Sequence, residues 1–410
     1  MRAIRWKRAR WIGRAGIGSS PAFASRALRH ICASPRDQIA ESMGGGAGHG
    51  EGAVYWKSFP STAVEAYTRA FNEDGFVVVD GVLDESERQA SIGEVWEYLA
   101  SESHGKVDRR DASTWNNENW PAAICRNGGF AGRFPYMRRL YRLDKTMPVN
   151  KQPQAWRNRE NVKVYDVFKN ILGTHKLWAS IDRYGVMRPT LSEKSEDAGV
   201  IERIEWQTKK DWLHWDLNPF HYATSAAGFA RAENFSEEQL ASAYGSLRVQ
   251  GLITLTDCPE ESGGFHCVPR FHGAPFEKWR EEHMHSYGKQ DGVHNRNFVE
   301  VPDDDPMRSR VMRVPMRAGS LLVWNSQLPH GNFPNSGHQW RMVFYIKMIP
   351  VDDPREFQPI LSVQDPRLHN QDWFGDRYTP SCLGRRLLGL TEWSDPIATE
   401  EGSVIKKQTG

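Results

Sequence analysis

The five cysteines of this 410-residue chain (Cys32, Cys125, Cys258, Cys267 and Cys382) are odd in number, far apart and without a CxxC pair. That spacing argues against a disulfide framework or a cysteine-rich zinc site and suits a reducing compartment. Also missing is any run of about 18 apolar residues, the least that a membrane-spanning helix needs. A basic face is missing as well. The formal charge is +2, but residues 1–36 hold nine Arg or Lys and no acid, so the remainder sets 44 basic against 51 acidic residues. A mildly acidic body cannot neutralise a run of phosphates, which argues against a general nucleic-acid binder and for a small-molecule substrate.

The acid-free N-terminus is rich in Arg, Ala and Ser and runs into the linker-like GGGAGHGEG. This is the composition of an organelle transit peptide, for a mitochondrion or plastid, with a disordered basic tail as the plainer alternative. A secretory signal fits worse, because Arg14, Arg26 and Arg29 interrupt the apolar stretches. The expected organisation is a leader or tail with its linker over 1–52, one elaborated domain over 53–350, and a C-terminal extension over 351–410 that packs on it. The sequence says nothing about oligomeric state.

STAVEAYTRAFNEDG predicts a helix ended by Gly75, FVVVDGVLD a short apolar strand entering a turn, and SERQASIGEVWEYLASE a second helix with Ile92, Val95, Trp96 and Leu99 at core-facing spacing. Residues 102–160 read as loops with short helices around Tyr136 to Leu143. Then β-type runs dominate: KLWASIDRYGVM, SLRVQGLITLTD, FHCVP, RVPMRAGSLLVWNS and RMVFYIKMIP, the last apolar enough for a central strand. Segments 223–244 and 273–300 read as polar insertions, the first closing with a helix SEEQLASAY. Short strands separated by Gly, Pro and Asn turns, with helices mostly ahead of them, predict a mainly β fold with flanking helices, a sandwich or barrel.

Within DWLHWDLNPF, His214 and Asp216 stand two apart, so an extended chain turns both to one side and Trp215 to the other. Alone, that triplet is as well explained by a satisfied histidine beside a turn aspartate. Downstream, LLVWNSQLPHGNFPNSGHQWRMVFYIK places His330 after a strand and a Pro turn, and Arg341 at the start of the next apolar strand. Two imidazoles and one carboxylate form a facial triad that suits non-haem Fe(II) and leaves positions for a bidentate co-substrate and dioxygen. A guanidinium opening an apolar strand needs an anionic partner, which a dicarboxylate co-substrate would provide.

Together HWDLNP, LITLTD, GGFHCVPRFHG, AGSLLVWNSQLPHGN with RMVFY, and GFVVVDGVLD resemble the phytanoyl-CoA dioxygenase family of Fe(II)/2-oxoglutarate oxygenases, over roughly residues 62–350. The resemblance implies a double-stranded β-helix, a cupin-like jelly roll with the metal at its open end. It implies His214, Asp216 and His330 as iron ligands and Arg341 as the anchor for the distal carboxylate of 2-oxoglutarate. Asn332 would assist Arg341, although the family often carries a small hydroxyl residue there, and Trp215 would border substrate. The implied reaction takes O2 and 2-oxoglutarate to succinate and CO2 while oxidising a substrate C–H bond. Related halogenases leave the carboxylate's position to chloride, so Asp216 favours hydroxylation or another oxidation. Related nucleic-acid demethylases carry a second arginine where this chain has Lys347, and histone-type demethylases anchor 2-oxoglutarate through lysine. Two other readings keep the barrel: a catalytically silent β-helix that binds a metabolite or protein partner, and a cupin-type enzyme without the co-substrate.

Other polar residues have plainer explanations. His266 and His272 fit packing or hydrogen bonding better than metal ligation, Cys267 fits a buried thiol better than a nucleophile, and Arg183 with Tyr184, and Arg270, fit structural ion pairs at least as well as contacts with an anionic substrate. His283, His285 and His294 are expected to face solvent.

Overall fold

FVVVD at Phe76–Asp80 sends its two faces into different cores: Phe76 and Val78 join one apolar cluster, Val77 and Val79 another. Strand side chains alternate sides, so a strand like this lies in a sheet covered on both faces, which is why polar residues do not alternate in it. Leu321–Asn325 divides in the same way, Leu321 and Val323 against Leu322 and Trp324.

The computed structural model describes residues 54–125, 129–131, 154–180, 182–193, 200–221, 247–294, 298–351 and 378–394. All belong to one compact unit, Met43–Gly410. Segment 1–52, the short helices expected around Tyr136 and the helix SEEQLASAY lie outside the described residues.

The larger sheet has eight strands in the order Ser58–Pro60, Phe76–Asp80, Leu321–Asn325, Val249–Thr254, Arg341–Ile346, Tyr184–Met187, Phe130–Ala131 and Ile124–Cys125. Its pairings are antiparallel except for the first, which is parallel. A second, antiparallel sheet runs Val299–Glu300, His214–Trp215, His330–Phe333, Gly264–Cys267 and Met312–Arg313. The sheets meet through one cluster: Phe265 of the smaller lies 4.8 Å, ring to ring, from Trp324 of the larger. Two facing sheets with long-range strand order make the mainly β jelly roll expected, a double-stranded β-helix.

Helices cover the far face of the larger sheet. Val64–Asp74 ends at Gly75, whose left-handed φ of 80° returns its amide to the Phe71 carbonyl. Glu85–Glu102 starts on a capping box in which Asp84 and Glu87 satisfy each other's backbone amides. Gln154–Glu160 and Val162–Leu172 complete the layer, and Leu387 of the short helix Cys382–Leu387 is buried in the same core. No helix among the described residues is long and apolar enough to cross a membrane.

Three segments differ from the sequence reading. RVPMRAGSLLVWNS is a strand only in its second half, Leu321–Asn325, because Gly319 at φ 79° turns the chain ahead of Leu321. RMVFYIKMIP breaks at Lys347, where pairing passes from the larger sheet to Leu177–Ala179. Segment 273–300 is more than a polar insertion: helix Ala274–His283 buries Phe276 and Trp279 in the core that holds the smaller sheet.

Glu94 gives this scaffold a pH dependence. Its carboxylate accepts from the backbone amides of Gln154 and Ala155 and from the Tyr184 hydroxyl (2.8 Å), tying two helices to a strand. Burial outweighs those hydrogen bonds and raises its pKa from the ordinary 4.5 to about 7. The folded protein therefore holds this proton where the unfolded chain has lost it, so stability is full below about pH 4.5 and declines as pH rises towards 7. The decline is expected to be on the order of 1–3 kcal/mol. Urea unfolding midpoints of wild type and Glu94→Gln at pH 5 and pH 8 test it: the variant should lose most of the difference, and equal slopes would refute the assignment.

Candidate functional site

Sheet register builds the site. His214 lies directly opposite His330, the first residue of its strand, and residues facing each other across a ladder project to one side. The two rings are therefore neighbours, with centroids 4.8 Å apart. Asp216, two beyond His214, returns to the same side: its Oδ1 lies 3.4 Å from His214 Nε2 and its Oδ2 3.4 Å from His330 Nε2. One ligand-type atom from each residue falls within 4.8 Å of the others.

The hydrogen bonds behind the rings decide what those atoms are. His214 Nδ1 donates to the Trp212 carbonyl (3.1 Å) and His330 Nδ1 to the Leu328 carbonyl (3.0 Å). A carbonyl only accepts, so in each neutral ring the proton sits on Nδ1 and Nε2 presents a lone pair. Burial holds the His214 pKa below the ordinary imidazole value, against the pull of the Asp216 carboxylate. Burial pushes Asp216 up, but positive charge at the facing Nε2 atoms, from a second proton on either ring, prevails and keeps it well below the carboxylate range. With 47% of its side chain accessible, Asp216 faces an open cleft. Acceptor atoms thus converge with no donor between them, an arrangement that a divalent cation stabilises; two nitrogens and one oxygen suit Fe(II).

Arg341 opens its strand fully buried, on the same face as Val343 and Tyr345, towards the smaller sheet. Its Nη2 donates to Asn332 Oδ1 (2.8 Å) and its Nη1 points to Met187 Sδ (3.7 Å), while its buried Nε has no hydrogen-bond acceptor. No carboxylate among the described residues pairs with it. A dry guanidinium in that condition is a site for a carboxylate from outside the chain. Asn332 stands two residues beyond His330 on one strand, so a single element links the metal-type cluster to this cation.

Trp215 does not border the cluster. It is fully buried on the opposite face, 4.6 Å from the Trp279 ring, with its Nε1 donating to the Gln327 carbonyl. Strand alternation that brings His214 and Asp216 together sends the residue between them into the core. The neighbours of the His214 ring are instead Trp212 at 4.4 Å and Phe298 at 4.6 Å. Gln250, which the sequence reading passed over, donates from Nε2 to Asp216 Oδ2 (2.7 Å); its signal was a lone polar residue inside the otherwise apolar VQGLIT. Gly331 is required for space, since a Cβ there would strike the Trp212 carbonyl and the His266 ring.

His266 is buried against Phe333 (4.2 Å), its pKa lowered by burial to about 3, and it faces away from the three ligand-type atoms. His272 meets the Asn72 carbonyl (3.1 Å), Arg270 pairs with Asp74 (2.8 Å) and Arg183 with Asp182 (3.4 Å). Cys267 is fully buried, which drives its thiol pKa well above the ordinary value. His285 is exposed, but His283 is half-buried, stacked 4.3 Å from Trp279, which corrects its expected solvent position. The His294 side chain lies outside the described residues.

A jelly roll carrying a His–Asp–His cluster and a buried arginine on a neighbouring strand defines the class of Fe(II)/2-oxoglutarate-dependent oxidoreductases. The sequence profile described as phytanoyl-CoA dioxygenase (PhyH) matches residues 71–343. The chain belongs to the phytanoyl-CoA dioxygenase family, and Fe(II) and 2-oxoglutarate are its cofactor and co-substrate. A Dictyostelium discoideum protein named "Putative phytanoyl-CoA dioxygenase" is 29% identical over 291 residues, covering 68% of this chain and 74% of the relative. Among solved structures, GlcNAc Inducible Gene 2 of Candida albicans aligns with a TM-score of 0.52 at 12% identity, covering 83% of this chain and 80% of that one, a likeness of fold alone. The non-haem α-ketoglutarate-dependent epimerase SnoN from nogalamycin biosynthesis aligns at 15% identity with a TM-score of 0.37, covering 70% of this chain and 83% of that one.

Proposed function

We propose that this protein hydroxylates, or otherwise oxidises, a C–H bond of a small organic molecule, consuming O2 and 2-oxoglutarate and releasing succinate and CO2. His214, Asp216 and His330 hold the iron in this reading, and Arg341, steadied by Asn332, holds the distal carboxylate of 2-oxoglutarate. The carrying observation is the convergence of bare Nε2 atoms on one carboxylate beside a buried guanidinium with no described carboxylate partner.

Bound there, Fe(II) supplies the redox chemistry that couples dioxygen to decarboxylation of the co-substrate. The chain's residues supply the rest. The Trp212 and Leu328 carbonyls keep both imidazole protons on Nδ1, and Gln250 steadies the Asp216 carboxylate. Trp212 and Phe298 shield the His214 ring from water. Arg341 and Asn332 orient the dicarboxylate so that its other end meets the cluster.

Anaerobic addition of Fe(II) and 2-oxoglutarate should produce a weak visible charge-transfer band in wild type that His214→Ala abolishes. Absence of the band in wild type, together with no substrate-stimulated succinate release, would sink the proposal in favour of a silent β-helix.

A further inference from the structure

A cleft open to solvent lies beside Asp216. Arg248, Gln250, Ser326 and Lys347 line it, with an apolar edge from Leu217 and Ile349. The register Gly251↔Ile346 sets Lys347 opposite Gln250, the residue that holds Asp216. Ile346 and Met348 are buried towards the helical layer, so the alternation turns Lys347 to the face that Arg341 and Tyr345 share. The backbone at Lys347 is fixed from the side: its amide donates to Ser180 Oγ (3.0 Å) and its carbonyl accepts from the Ser180 amide (2.8 Å). Among the described residues no carboxylate pairs with the Lys347 ammonium. Asp216, the acid in the same cleft, already accepts from Gln250 and faces the two ring nitrogens.

We propose that this cleft is the substrate mouth and that Lys347 selects a small organic anion, a carboxylate or a phosphate. The anionic group docks on the ammonium, and the oxidised C–H bond then lies within a few bonds of it. This rests on the oxygenase reading above. A lysine ammonium is a point charge that accepts either oxyanion, and in a partly desolvated cleft the contact discriminates strongly against a neutral isostere. The apolar edge takes the adjoining carbon skeleton.

The test uses enzyme loaded anaerobically with Fe(II) and 2-oxoglutarate and titrated calorimetrically with matched probes: hexanoate against hexanamide, and hexyl phosphate against hexanol. Wild type should prefer the anion of at least one pair by roughly tenfold, and the favoured pair identifies the oxyanion. Lys347→Gln should erase the preference and Lys347→Glu reverse it, with the charge-transfer band kept in both. The proposal is overturned if neither pair shows a preference, if the preference survives Lys347→Glu, or if Lys347→Gln raises only the 2-oxoglutarate requirement. A missing band with the Lys347-dependent preference intact would overturn the oxygenase reading and the cleft's role as a substrate mouth, leaving an anion site at Lys347.

Discussion

Asp216→Ala is expected to weaken Fe(II) binding by at least about 100-fold, since even residues one step behind the metal ligands typically contribute roughly 10–100-fold. Asp216 is the cluster's one anion, and its carboxylate faces both Nε2 atoms at 3.4 Å. Its removal leaves two neutral donors and strands the Gln250 amide that now donates to it at 2.7 Å. The fold should survive, because the side chain faces a cleft rather than a core. Anaerobic competition with a chromophoric chelator measures the affinity, and an unchanged thermal midpoint separates lost metal from lost structure. If the variant bound iron within about fivefold of wild type, Asp216 would not be a ligand and the site would have to be rebuilt on the histidines alone.

Arg341→Gln carries the second large effect, a rise of about 100-fold in the 2-oxoglutarate concentration for half-maximal succinate release. A buried charge-assisted hydrogen bond contributes about 1.5–3 kcal/mol, and each 1.4 kcal/mol is tenfold in affinity. Glutamine keeps an amide donor near Asn332 but loses the charge and the planar fork. Iron binding should be nearly unchanged, since Arg341 is held by Asn332 and Met187 and not by the cluster. Indifference of the co-substrate requirement would favour a cupin-type enzyme.

Both predictions concern residues that the sequence displays unequally. His214, Asp216, His330 and Arg341 could be picked out because polar residues of these kinds are costly inside apolar strands, and their order along the chain resembles a known family. The resemblance misplaced Trp215, because an aromatic between two ligands looks like a pocket wall, whereas the period-two alternation already legible in the sequence sends it to the far face, against Trp279. Gln250 and Lys347 carried little local signal; a side-chain hydrogen bond between the two sheets brings Gln250 to Asp216, and the antiparallel register of two strands brings Lys347 to Gln250, each across more than thirty positions. Helix Ala274–His283 was hidden for a related reason: its buried side is only Phe276 and Trp279, too few apolar residues to mark a face before the sheet beneath is known.

By itself the sequence determined the class of fold, the short strands and the identity of the four polar residues, because alternation, turn chemistry and the cost of a buried charge act over a few residues. Tertiary structure alone decided which atoms meet. His214 faces His330 through a ladder pairing, both ring protons are assigned by carbonyls two residues back, and the polar cleft opens where Lys347 leaves one strand partner for another. Register and proton position depend on partners distant in the chain, and no local pattern encodes them.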